Sequence, residues 1–171
     1  MYGEVLSKKI IRTNFIAILA ERSGSYTGTG KNHDNKEFCG TLELGTIANN
    51  KGVSLEFRAV GTEGNEFNKD TNLYSRDTVL FSEESSIICY DSKNELALWS
   101  LNSNIGTMAK FHLRRFRQIS GTRSLFIFGY GSPENNTIYR EEISIELREN
   151  GELSYNYSWG EAGGHFLSRL T

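Results

Sequence analysis

Three groups of side chains in this 171-residue chain have the types and spacing for binding chemistry. Leu153, Tyr155, Tyr157 and Trp159 recur at every second position, so a strand over them turns all four to one side. Such a stripe makes a pocket wall, where rings bury a ligand and phenol hydroxyls orient it, or it packs as plain core. Trp99 lies in Leu96-Ala97-Leu98-Trp99-Ser100, a segment apolar on both faces. One of those faces looks inward and the other meets a helix or a partner. Lys110, His112, Arg114, Arg115, Arg117 and Arg123 concentrate the positive charge. Simple alternation groups Arg115 with Phe111 and Leu113, where a guanidinium grips a ligand carboxylate through two bonds. Glu83-Glu84 and Glu141-Glu142 are adjacent pairs, so in strands their members point to opposite faces and neither pair is a carboxylate dyad. One member of each can face inward, where it calls for Arg115 or Arg140 as partner, because an unpaired buried charge is costly.

The elements that must position these residues are strands. Val53, Leu55, Phe57 and Ala59 alternate with polar residues, and so do Ile143, Ile145 and Leu147. A period of two means one buried and one wet face. Strands are expected at 24–31, 37–47, 52–60, 73–83, 86–90, 95–101, 107–117, 123–130, 137–148, 152–159 and 165–170. Asn49-Asn50-Lys51-Gly52, Asp91-Ser92-Lys93-Asn94 and Glu149-Asn150-Gly151 supply turns between them. The loop 61–72 is the longest polar stretch and is expected to overhang a barrel mouth. Leu6, Ile10, Phe15, Ile18 and Leu19 share a stripe, which predicts a single helix over 6–21, ended by Ser23-Gly24. The expected fold is all-β: one domain, with an up-and-down antiparallel barrel of about ten strands over 24–170 and the N-terminal helix capping one end. Closing the sheet removes exposed edges, and the enclosed lumen can hold a small ligand. A β-sandwich is the rival, but it needs longer crossings than these turns provide.

Composition narrows the function. Hydrophobic residues make up 37% and charged residues 23%, which suits a globular chain. A net charge of −2 gives no reason to expect nucleic acid as partner. No stretch approaches the roughly 20 apolar residues of a membrane span. Lys8, Lys9 and Arg12 interrupt the apolar positions near the N-terminus, which argues against a signal peptide and for a cytoplasmic protein. Cys39 and Cys89 are expected as free, buried thiols. No zinc spacing, phosphate loop, nucleophile elbow or Ser/His/Asp order is present.

Leu19-Ala20-Glu21-Arg22-Ser23-Gly24-Ser25-Tyr26-Thr27-Gly28-Thr29-Gly30 resembles the helix-then-first-strand entry of the calycin superfamily, the lipocalin, fatty-acid-binding-protein and nitrobindin-like barrels. Tyr26 stands where that entry usually carries Trp, and Arg169 in the last strand stands where many calycins set a basic side chain across it. The hairpin Gly151-Glu152-Leu153-Ser154-Tyr155 with His165-Phe166-Leu167-Ser168-Arg169-Leu170 resembles the closing hairpin of nitrobindin-like haem barrels. That resemblance implies a haem cofactor with His165 as its axial ligand. The other reading of His165 is a solvated residue after a flexible turn. The function expected first is a carrier or sensor for a small apolar or amphipathic ligand held in the lumen by Tyr26, Trp99, Arg115, Tyr155, Tyr157, Trp159 and His165. The haem protein is the alternative. A small isomerase or cyclase using an inward Glu with an Arg, and a barrel serving only as a protein-interaction scaffold, are further readings. A homodimer stays open.

Overall fold

The computed structural model describes residues 14–62, 80–104, 106–132, 135 and 137–170, with side chains through Phe166. A short helix α1 (Phe15–Ala20) leads into β1 (Gly24–Lys31), β2 (Glu37–Ile47), β3 (Gly52–Gly61), β4 (Leu80–Tyr90), β5 (Leu96–Asn102), β6 (Met108–Gln118), β7 (Ser124–Tyr130), β8 (Arg140–Leu147), β9 (Leu153–Gly160) and β10 (Leu167–Leu170). The ten strands pair in chain order, each antiparallel to the next. The result is an all-β, up-and-down barrel that is nearly closed, as the alternation and short turns predict. β10 lies near β1, but no ladder joins them among the described residues.

The segments expected at 73–83 and 86–90 form, over the described residues, the single strand β4. Ser82-Glu83-Glu84-Ser85-Ser86 reads as a turn by composition, yet it runs straight through the wall with Ser82, Glu84 and Ser86 buried inside. Positions 73–79, the loop 61–72 beyond Thr62, and helical positions 6–13 lie outside the described residues.

One side of each strand from β1 to β9 faces a common core. Leu42, Leu44, Val53, Leu55, Ile88, Leu98, Phe111, Phe126, Phe128, Ile143, Ile145 and Leu147 fill the interior. Phe126 and Phe128 stack with nearly parallel rings, 7° apart. The helix completes this packing at the end where β2 finishes and β3 starts. Asn14 caps it by accepting the Ala17 N–H at 3.1 Å. Ile16 and Leu19 are buried, and Phe15 meets Phe116 edge-on at 4.9 Å. The expectation of a helix capping one end therefore holds for α1.

β1 is the thin part of the wall. Its inward positions include Gly28, opposite Gly40 of β2. A Cβ added at Gly28 meets nothing within 4 Å. A small slot of about 130 Å³ opens there between β1 and the start of β9, over Phe57 and Tyr155. Gly28→Ala removes backbone freedom from the unfolded chain without a clash. It is expected to stabilise the protein by about 0.5–1 kcal/mol, read as a rise in Tm of roughly 1–4 °C by calorimetry.

Candidate functional site

The end of the barrel away from α1 is a mouth. A pocket of about 570 Å³ opens there, lined by Asn32, His33, Asp34 and Lys36 from the β1–β2 turn, by Leu80, Phe81 and Ser82 of β4, by Asn102 and Asn104, and by Tyr139, Tyr157 and Trp159. The β8–β9 ladder sets Glu141 opposite Trp159, Ile143 opposite Tyr157 and Ile145 opposite Tyr155. Tyr155, Tyr157 and Trp159 therefore share the inward face, as their spacing predicts. Tyr155 stacks on Phe57 at 4.8 Å and is buried beside the seam. Tyr157 and Trp159 reach the mouth.

Two carboxyl groups sit beneath this wall. Glu84 and Glu141 are 2% and 3% exposed. The Tyr155 hydroxyl donates to Glu84 Oε2 at 2.5 Å, and the Ser86 hydroxyl donates to Oε1 at 2.6 Å. The Tyr139 hydroxyl donates to Glu141 Oε1, with the Tyr157 hydroxyl beside both groups. Glu141 Oε2 is buried with no hydrogen-bond partner. Among the described residues neither carboxyl has a Lys, Arg or His partner. Burial pushes the Glu141 pKa up, the neighbouring hydroxyls of Tyr139 and Tyr157 pull it partly back, and nearby Glu84 adds to the rise. Burial, followed by the neighbouring acids, also drives the Tyr155 and Tyr157 phenols well above their ordinary range, so both stay protonated donors. Next to them Asn102 Nδ2 donates to Ser82 Oγ at 3.2 Å. The polar groups of the interior thus gather in the half nearest the mouth, a chamber they share with Phe57, and the half nearest α1 is apolar.

Sequence reasoning allowed one inward Glu from each acidic pair but expected an arginine beside it. The structure corrects that partner to tyrosine. Arg140 is buried on the other side of β8, where its guanidinium donates to Gly164 O at 2.8 Å and lies against the Phe166 ring. Arg115 is exposed, because a bulge between Leu113 and Arg115 resets the alternation and pairs Arg115 with outward Ile127. Trp99 also faces out, opposite Ile87 and Lys110, because Leu98 and Ser100 take the interior positions. The Lys110 ammonium lies 5.3 Å from the centre of the Trp99 ring and 2.7 Å from Asp91 Oδ2. Together with the backbone N–H of Glu95 it holds the Asp91 carboxyl down to about 2. Asp91, Glu95 and His112 bring potential ligand atoms within 4.8 Å of one another, but Lys110 already neutralises Asp91. The expected anion grip inside the lumen is therefore not formed by Arg115.

Tyr26 is half-buried near the helix end, and its hydroxyl donates to Arg22 O at 2.5 Å. It ties the close of the helical turn to β1 and borders the seam slot rather than the mouth. His165 is exposed in the β9–β10 loop, two residues before β10 starts, and is not among the residues lining the mouth. An axial haem ligand needs its ring turned into an enclosed apolar space. The surroundings of His165 do not fit that role. The Arg169 side chain lies outside the described residues. Cys39 and Cys89 are free, as expected, but half-buried rather than buried. No helix among the described residues is long and apolar enough to cross a membrane.

The residues missed are Tyr139, Ser82 and Asn102, and the sequence left open which acid of each pair, Glu84 and Glu141 as it turns out, faces inward. Parity was the available signal: Glu141 is two before Ile143, and Glu84 is four before Ile88. Comparison with protein-family models, curated proteins and solved structures finds no match to this chain.

Two outcomes are expected of these carboxyls. Tyr155→Phe strips Glu84 Oε2 of its donor and should cost about 1–3 kcal/mol in denaturant unfolding. Glu141 protonates more readily folded than unfolded, so its ionisation lowers stability as pH rises from the ordinary value of 4.5 through the raised one. Glu141→Gln should therefore gain in Tm over the parent between about pH 4 and pH 7, with the gap smallest at the acid end. A constant gap across that range would contradict the raised pKa.

Proposed function

We propose that the protein is a calycin-like carrier or sensor that binds one small amphipathic molecule at the barrel mouth. The observation that carries this reading is the 570 Å³ pocket with Tyr157 and Trp159 in its wall. Ligand sites combine a concave, aromatic-lined space with a few convergent polar groups, and volumes of roughly 300–1,000 Å³ are typical. Here Ser82, Asn102, Asn104 and the two tyrosine hydroxyls are the polar groups. The exposed apolar side chains Leu80, Ile138 and Tyr139 cluster around the same end. They favour a guest with an apolar body that enters across that rim. The ladder of strands in chain order after a short helix supports the calycin likeness. Of the residues expected to hold a guest in the lumen, Tyr157 and Trp159 line this pocket. Phe111, Phe126 and Phe128 belong to the packed core deeper in the barrel, so the guest sits near the opening.

Nile red titration tests the pocket. The parent is expected to bind one dye per chain with a blue-shifted emission. Asn104→Trp narrows the mouth from a turn and should weaken binding at least tenfold, a loss of about 1.4 kcal/mol. Leu101→Ser changes the outer apolar face formed with Ile87 and Met108 and should leave binding unaltered. Weakening by Leu101→Ser but not by Asn104→Trp would move the dye site to the outer wall. No dye binding, with no molecule retained in native mass spectrometry, would favour the scaffold reading.

A further inference from the structure

Two buried acids, Glu84 and Glu141, lie behind the tyrosines of the mouth wall, and neither lines the pocket itself. The rim is mixed, with Asp34 beside Lys36 and His33. Beneath it Glu84 and Glu141 have only neutral hydroxyl partners among the described residues. Glu84 has both oxygens occupied. Glu141 is different: one oxygen accepts from Tyr139, the Tyr157 hydroxyl lies beside the group, and the other oxygen is buried and makes no hydrogen bond. A buried acceptor without a donor is costly and is rarely left so unless something else supplies the donor.

Tyr139 differs from the other two phenols. Tyr155 and Tyr157 are anchored within β9 and are 8% and 9% exposed. Tyr139 precedes β8 at the rim and is 40% exposed. Its ring lies against Trp159 at 6.0 Å, and both line the pocket. Its hydroxyl thus covers Glu141 from the solvent side, on a segment outside the ladder. Gly131 borders the same turn with φ +68°, and an added Cβ there would meet Tyr139 O at 2.7 Å. The backbone at Tyr139 is seated on a residue that only glycine supplies without strain.

We propose that the ligand carries a basic nitrogen, and that its ammonium group binds Glu141, taking the unpartnered Oε2 and displacing the Tyr139 hydroxyl that covers it. This rests on the mouth being the binding site. An ammonium brings several N–H donors and a positive charge that the described residues do not place beside these acids, and a charge-assisted bond is about twice as strong as a neutral one. The apolar body of the same molecule lies along Trp159 and Phe81. A carboxylate-bearing guest, by contrast, meets two acids.

Isothermal titration with phenylbutylamine, phenylbutanol and phenylbutyrate separates the ideas, since the three share one apolar body. In the parent the amine should bind at least about tenfold tighter than the alcohol, and the carboxylate weakest. Glu141→Gln should erase the preference for amine over alcohol while changing alcohol affinity less than about twofold. Tyr139→Phe keeps the ring and removes the competing donor, so it should tighten amine binding. Equal affinity for amine and alcohol in the parent, or a preference that survives in Glu141→Gln, overturns the amine assignment and leaves the pocket standing. Binding of none of the three overturns both.

Discussion

The fold depends on an antiparallel ladder in which every strand pairs with its neighbours in sequence. This fixes the face of each side chain, because successive residues alternate and registers follow from short turns. Once Ile143 is inside, Glu141 and Ile145 are inside, and their partners Trp159, Tyr157 and Tyr155 must be as well. The interior is therefore inherited strand by strand around the wall. A bulge in β6 resets it there, and that one residue sends Arg115 to the solvent.

The same rule explains what was legible in the sequence. Hydrophobic alternation located nine of the strands to within a few residues, and it identified the face shared by Tyr155, Tyr157 and Trp159. It failed where a strand is polar on its buried side. Ser82, Glu84 and Ser86 have the composition of a turn, and only the neighbouring strands β3 and β5 show that they line a chamber. It failed again at Trp99, because β5 is apolar on both faces and composition cannot say which is inside. The partners of the buried acids were also hidden. Tyr155 is 71 residues from Glu84, and the contact exists only once the barrel wraps.

The buried polar groups follow a consistent logic. Arginine is a large, permanently charged partner that would crowd a lumen already occupied by Phe57 and Phe111. Tyrosine offers a hydroxyl on an apolar ring, so one side chain both fills the core and satisfies an acid. The arginine that does lie in this part of the wall, Arg140, is turned outward to hold the carbonyls of Glu161 and Gly164. It fastens the last hairpin from behind while the phenols furnish the interior.

The seam gives the cylinder a weak axis. Backbone bonds tie each strand to the next from β1 round to β10, and the circuit stops there among the described residues. β10 covers β9 only from Tyr157 to Trp159, so the stretch from Leu153 has no such cover. Spreading the wall at this line breaks no ladder bond among the described residues, whereas spreading it between any other neighbouring strands breaks a row of them. Breathing of the barrel, and the fastest amide exchange in its wall, should begin along β1.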